Sequence, residues 1–236
     1  MNRRRMLEEK TRLFYEKKIN NRALRPFAYG MGPLKLFWLF TVGSVLGSFI
    51  ETVWCMITKG HFEMRTGLVL GFSIPVYGIG AVLMAVLLCR LYKKSNAVIF
   101  AGSAVIGAAV EYFCSLFQEL VFGTVSWNYE GQFLSIGGRT SLKYAFMWGF
   151  LGVIWVKLVY PFIATAIEAI PKSAGNVLTV ILVIFTAINV ILSASAVLRR
   201  NERRTEPIPS NSFEIFLDEH YPDEKIDFIY PNMMQV

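Results

Sequence analysis

Apolar positions along the chain gather into five long runs, at 34–58, 67–92, 97–122, 140–162 and 177–198, separated by short polar stretches. Crossing the ~30 Å apolar layer of a bilayer takes about 20 helical residues, and each run reaches that length. Backbone groups in lipid must find partners within the protein, so the runs are expected to be helices. The pattern therefore predicts an all-α polytopic helical membrane protein with about five transmembrane helices. The stretch 123–139 is too polar to cross, and Trp127 and Trp148 beside it suit an interfacial aromatic belt.

Small residues recur inside the first four runs: Gly43 and Gly47, Ser44 and Ser48, Gly67 and Gly71, Gly78 and Gly80, Gly102 and Gly107, Gly149 and Gly152. Helices in lipid have no hydrophobic drive to associate and pack through such residues. The fifth run is mostly Val, Ile and Leu. A four-helix core with one peripheral helix follows.

Charge lies at the two ends. Residues 1–33 form a basic arm, with Met6, Leu7, Leu13 and Phe14 at helical spacing, which suits an amphipathic helix drawn to anionic headgroups. Together with Arg90, Lys93 and Lys94 this arm places the N-terminus in the cytoplasm, and loops 59–66 and 123–139 opposite. Five crossings put the C-terminus opposite as well, although Arg199, Arg200, Arg203 and Arg204 follow the last run directly, so the side of the tail stays open. Four regions result: the arm 1–33, a membrane core 34–163, a connecting loop with the fifth helix 164–200, and an acidic, proline-punctuated tail 201–236 expected to be disordered.

Composition narrows the class. Hydrophobic residues make up 54%, charged residues 17%, and the mean hydropathy is +0.45, against about a quarter charged in soluble domains. An ordinary cytosolic enzyme is excluded. Cys55, Cys89 and Cys114 lie in apolar runs, and with His61 and His220 they make neither a disulfide framework nor a metal site. No nucleotide-binding loop and no catalytic triad is present, so an enzyme is the weaker reading, and no cofactor or nucleic-acid partner is expected.

Charges inside a membrane cost at least ~2.5 kcal/mol each and call for a partner or a cavity. Glu51, Glu111 and Glu119 lie roughly 10, 16 and 5 Å below one surface by helical rise. Arg139 and Lys143 open the fourth run from that surface. Ser115, Gln118 and Glu119 share the face of Glu111 within about a third of the helix circumference. These seven residues converge either as a polar cavity open from one side or as an ion network that only fixes packing. Three acids against two bases leave one carboxylate without a cation, and desolvation favours the protonated form of such a group. Lys157, near the cytoplasmic end of its run, is placed to snorkel.

The strings GSFIETVW (47–54), GLVLGFSIPVYGIGA (67–81), EYFCSLFQELVFGTVSWNY (111–129) and GGRTSLKYAFMWG (137–149) occur in this order. Together they resemble the CmpB-type ABC-transporter type IV family of bacterial membrane proteins, over about 35–163. The resemblance implies family positions at Glu51, Trp54, Gly71, Pro75, Tyr77, Gly78, Glu111, Glu119, Trp127, Tyr129, Gly138, Arg139 and Leu142. Asn128 stands where relatives often have Asp. The name implies a permease of the cell membrane. The expected function is thus permease-like movement of a small solute. A membrane-embedded lipid-handling protein or enzyme, and a structural or regulatory subunit, are the alternatives. Expected partners are membrane lipids and either a separate ATPase subunit, for which 164–176 is the only docking candidate, or further copies of the chain.

Overall fold

The computed structural model describes residues 25–63 and 65–236; most of the basic arm 1–33, including its expected amphipathic helix, lies outside the described residues. Helix α1 (Pro33–Lys59) starts on a proline, whose missing N–H costs nothing in a first turn, and stops at Gly60 with φ 73°. Helix α2 (Pro75–Leu88) continues into a 3₁₀ turn (Cys89–Leu91). Helix α3 (Asn96–Phe122) ends at Gly123, φ 61°, whose N–H donates to Glu119 O at 2.8 Å. Helix α4 (Leu142–Ala169) contains a π turn at Trp155–Val159, and α5 (Lys172–Glu202) follows after residues 170–171. Two short helices close the chain, α6 (Ser212–His220) and α7 (Asp223–Ile229). Strands β1 (Thr124–Val125) and β2 (Met234–Gln235) pair antiparallel.

Four of these helices, α1, α3, α4 and α5, are long and apolar enough to cross a membrane. The protein is an all-α polytopic membrane protein.

Glycine contacts explain the packing. A Cβ on Gly43 would lie 2.6 Å from that of Ala81, and one on Gly47 would overlap that of Tyr77, so α1 and α2 touch closely. Between α3 and α4, a Cβ on Gly107 would overlap Trp148 Cγ. Trp148 also rests on Gly80 and is buried where α2, α3 and α4 meet. Most of the apolar surface of α5 is exposed, as expected for a peripheral helix.

Three sequence expectations need correction. The second apolar run is helical only from Pro75; residues 67–74 are irregular chain. Pro75 pushes Ile74 into extended conformation (φ −116°, ψ 101°), and Gly71 sits at φ 74°. This segment lies deep. Ile74 N donates to Ser44 O at 3.0 Å, and Ser44 lies fifteen residues, roughly 22 Å, before the end of α1. Irregular backbone at such depth survives only when protein satisfies it. Asn189 of α5 does so, donating to Leu70 O at 2.7 Å and accepting from Leu70 N at 3.0 Å, while Ser193 Oγ accepts from Val69 N at 2.9 Å.

Second, 164–176 is not a connecting loop. Helix α4 runs through Ala169, and Pro171 ends it by holding Ile170 at ψ 130°. Glu168 Oε1 instead accepts from Lys35 Nζ at 2.8 Å, with the lysine 1% exposed, which joins the start of α1 to the end of α4. Lys157 does extend to its own end of the bundle, where its ammonium donates to the carbonyls of Tyr92 and Lys94 and caps the short α2 unit.

Third, the tail is folded. Leu217, Tyr221 and Ile226 bury themselves with Ala196, against Val69 and Leu192. Asp218 accepts from Arg199 Nε and Nη2 at 2.9 and 2.8 Å, Asp223 from Arg203 Nε at 2.7 Å, and Asp227 from Arg200 Nη2 at 2.5 Å. Composition suggested disorder, but acids spaced to meet the arginines ending α5, with apolar residues between them, supply a docking face. Asn201 Nδ2 donates to Phe122 O at 2.7 Å and Val236 N to Gly123 O at 3.1 Å. The tail therefore shares one end of the bundle, the loop end, with loops 60–74 and 123–141. Residues 92–95 and 170–171 lie at the other.

Candidate functional site

Tyr77, two residues into α2, reaches α1 because Gly47 leaves room for its ring, and its hydroxyl donates to Glu51 Oε1 at 2.7 Å. Its ring lies 5.2 Å from that of Trp148. Glu111 of α3, 7% exposed, accepts from Thr140 Oγ1 at 3.0 Å and, at the longer distance of 3.5 Å, from Tyr129 Oη. Tyr129 is held by its own N–H to Gly138 O at 2.7 Å and by stacking on Tyr144 at 4.0 Å. Burial, with the charge of Glu111 adding, pushes the Tyr129 phenol well above its ordinary range, so it stays a donor.

By helical rise Glu51 sits roughly 12 Å, and Glu111 roughly 16 Å, inward of the loop-end termini of their helices. Among the described residues neither carboxylate has a cationic partner; both are held by neutral hydroxyls.

Glu119 is different. Its carboxylate pairs with Arg139 Nη2, and Arg139 also donates to Gly137 O at 3.0 Å and lies 5.7 Å over the Tyr112 ring. Gln118 donates to Thr124 Oγ1 at 3.2 Å and accepts from Ser126 Oγ at 3.0 Å, fastening the loop to the last turn of α3. Ser115, one turn from Glu111, is buried with its hydroxyl unpartnered among the described residues.

Lys143 joins none of this. It is exposed at the start of α4 with its ammonium 5.5 Å over the Tyr144 ring. Among the family positions, Trp127 Nε1 donates to Arg139 O at 2.8 Å. Pro75 opens α2, while Gly78 admits the backbone of Phe40. Gly138 turns at φ 69°, and Trp54 faces outward, 41% exposed. The crevice nearest the site, about 90 Å³, is lined by apolar groups including Gly43, Gly47, Tyr77, Trp148 and Trp155.

Sequence reasoning missed Thr140 as a partner of Glu111, because a threonine opening an apolar run looks like a boundary. Asn189 and Lys35 were missed too. Each is a polar residue at an apolar depth, which is the signal that could have found them.

The profile of the family described as "Putative ABC-transporter type IV" matches residues 38–194. The chain belongs to this family. Family membership thus extends through most of α5, beyond the four core runs that carried the resemblance, and takes in Asn189 and Ser193 along with the site. It stops short of the tail. Comparison with curated proteins and with solved structures finds no match. The chain is accordingly a helical membrane protein of a transport-associated family.

Proposed function

We propose that the chain is a permease-like membrane protein that moves a small solute, with Glu51 and Glu111 as the polar groups of its pathway from the loop end. The observation that carries this reading is the pair of carboxylates held by Tyr77, Thr140 and Tyr129 without a cation, well inside the bundle. A packing network is normally closed by opposite charge, since an uncompensated ion in low dielectric is costly. Carboxylates left on neutral donors can instead exchange a proton or meet a cationic group.

The reading includes an orientation with residues 92–95 and 170–171 in the cytoplasm. It is supported by Arg90, Lys93, Lys94 and Lys172 at that end, in addition to the basic arm. The arginines 199, 200 and 203 at the loop end are engaged by tail aspartates. Cysteines placed at Gly60 and Gly131 should both be labelled from outside the cell. The family's description points to an ATPase partner, yet the short connections at the cytoplasmic end hold no separate helix, among the described residues, on which one could seat.

Proteoliposomes loaded with a pH-indicating dye and challenged with a pooled small-solute extract test the function. The wild type should show solute-dependent proton movement, which Glu111→Gln and Glu51→Gln abolish while remaining folded. A second reading, a structural hydrogen-bond network, is favoured by the small apolar crevice. Variants that unfold, or that move solute like the wild type, would decide for it.

A further inference from the structure

Lys143 is the one residue of the expected charge network that turns away from it, and its surroundings explain where it turns. It lines the broad depression of about 660 Å³ at the loop end, together with Gln132, Phe133, Leu142 and Phe146. No carboxylate among the described residues pairs with it. Gln132 uses its carbonyl oxygen to accept from Ser141 Oγ at 2.9 Å, which leaves its amide N–H groups to meet an acceptor from outside. The wall is apolar and open: Phe133 is 76% exposed and Phe146 49%. Leu134 and Ile136 continue this surface, and Leu134 is held at φ 51°, an uncommon conformation for a branched residue.

Depth sets the chemistry. Helix α4 has 28 residues, roughly 42 Å, against a ~30 Å apolar layer. Its first turn, with Lys143, therefore projects to headgroup level, and Phe146 lies about one turn deeper, where acyl chains begin. The positive end of the helix adds to the lysine charge instead of opposing it. A cation without a counter-charge at headgroup level, above an apolar wall at chain level, complements an amphiphile carrying a phosphate.

We propose that this depression binds an anionic phospholipid, with Lys143 and Gln132 holding its phosphodiester and Phe133 and Phe146 flanking an acyl chain. The site is separate from the Glu51 and Glu111 groups and stands whether or not they conduct a solute.

The full chain in neutral detergent, titrated with dioleoylphosphatidylglycerol and read by native mass spectrometry, tests it. One lipid should be retained ahead of all others. Losing a charge-assisted bond should weaken retention by about tenfold or more in Lys143→Gln and Lys143→Glu. Lys143→Arg should keep it, Phe146→Ala should weaken it, and Lys93→Gln at the opposite end should leave it unchanged. Dioleoylglycerol, which lacks the phosphate, should not be retained, and millimolar inorganic phosphate should not displace the lipid. Wild-type retention by folded Lys143→Gln, or equal retention of dioleoylglycerol, would overturn the proposal. Full displacement by inorganic phosphate would overturn it too, by making this a free-anion site. If Lys143→Glu does not fold, the comparison of Lys143→Gln with Lys143→Arg decides between the same outcomes.

Discussion

The Glu119–Arg139 pair has its side chains 29% and 19% exposed, so it belongs between two regimes. Surface pairs are worth about 0–1 kcal/mol, and breaking a fully buried one costs about 3–5 kcal/mol. Glu119→Gln is expected to destabilise by an intermediate amount, and adding Arg139→Gln should restore part of the loss; thermal unfolding in detergent reads both, and strict additivity would deny the coupling. Gly107 offers a sharper case. A Cβ there overlaps the rigid ring and Cβ of Trp148, whereas one on Gly102 meets only a flexible Leu88 tip at 2.9 Å. Gly107→Ala should cost about 1–3 kcal/mol by overpacking, and Gly102→Ala clearly less. At this scale the glutamates were legible because a carboxylate in an apolar run stands out, and the arginine because it opens a run at the right depth. Rise and rotation along one helix could not say that Lys143, four residues further on, points the other way. That depends on how α4 sits against the loop. Lys35 was hidden for a related reason: near a helix start it reads as a headgroup contact, and only the fold brings Glu168 to it.

Hydropathy reports burial and not backbone conformation, which is why the run 67–92 looked like one helix. Its first eight residues are apolar because they lie deep, but their N–H and C=O groups are satisfied by side chains: the Thr66 hydroxyl bonds Leu68 N and the carbonyls of Leu68, Gly71 and Ser73, and Asn189 of α5 bonds both backbone groups of Leu70. Pro75 carries the signal for a break that the continuous apolar run masked; the pairing of the unwound chain with Asn189 carries none, because that partner comes from a helix more than a hundred residues away. Hydrogen bonds between membrane helices often contribute little, since the separated helices find other partners. The Leu70 backbone has no such alternative within lipid. Asn189→Leu should therefore destabilise by about 1–3 kcal/mol. A cysteine at Leu70 should become accessible to a small thiol reagent in the Leu variant. If that cysteine stays protected and unfolding is unchanged, α5 is not what holds the segment.

Taken as one object, the molecule is closed at its loop end by the tail, which packs on α5 and Val69 and pairs β2 with β1 of the 123–141 loop. Four membrane-crossing helices were legible from the runs, and the second run yielded only the shorter α2; a folded tail was not legible, since its order comes from complementarity to the arginines ending α5 rather than from its own composition. That complementarity makes the closure sensitive to acid. Hydrogen bonds from Arg199, then from Arg203, hold the Asp218 carboxyl below its ordinary 3.8, at about 2. A carboxyl with a lower pKa in the docked form than in the released one binds a proton less readily when docked, so its ionised form favours docking and its protonation favours release. Its contribution is thus complete above about pH 4 and is lost as the pH falls towards 2, and high salt weakens it because Asp218 is partly exposed. Asp218→Asn should remove it at every pH. Pepsin should begin to cut within 206–236 as the pH drops from 4 to 2 while the helical bundle stays intact. Thermolysin at neutral pH should cut the same region faster in Asp218→Asn than in the wild type. Equal protection of the two proteins would mean that Leu217, Tyr221 and Ile226 hold the tail alone and that the arginines ending α5 only orient it.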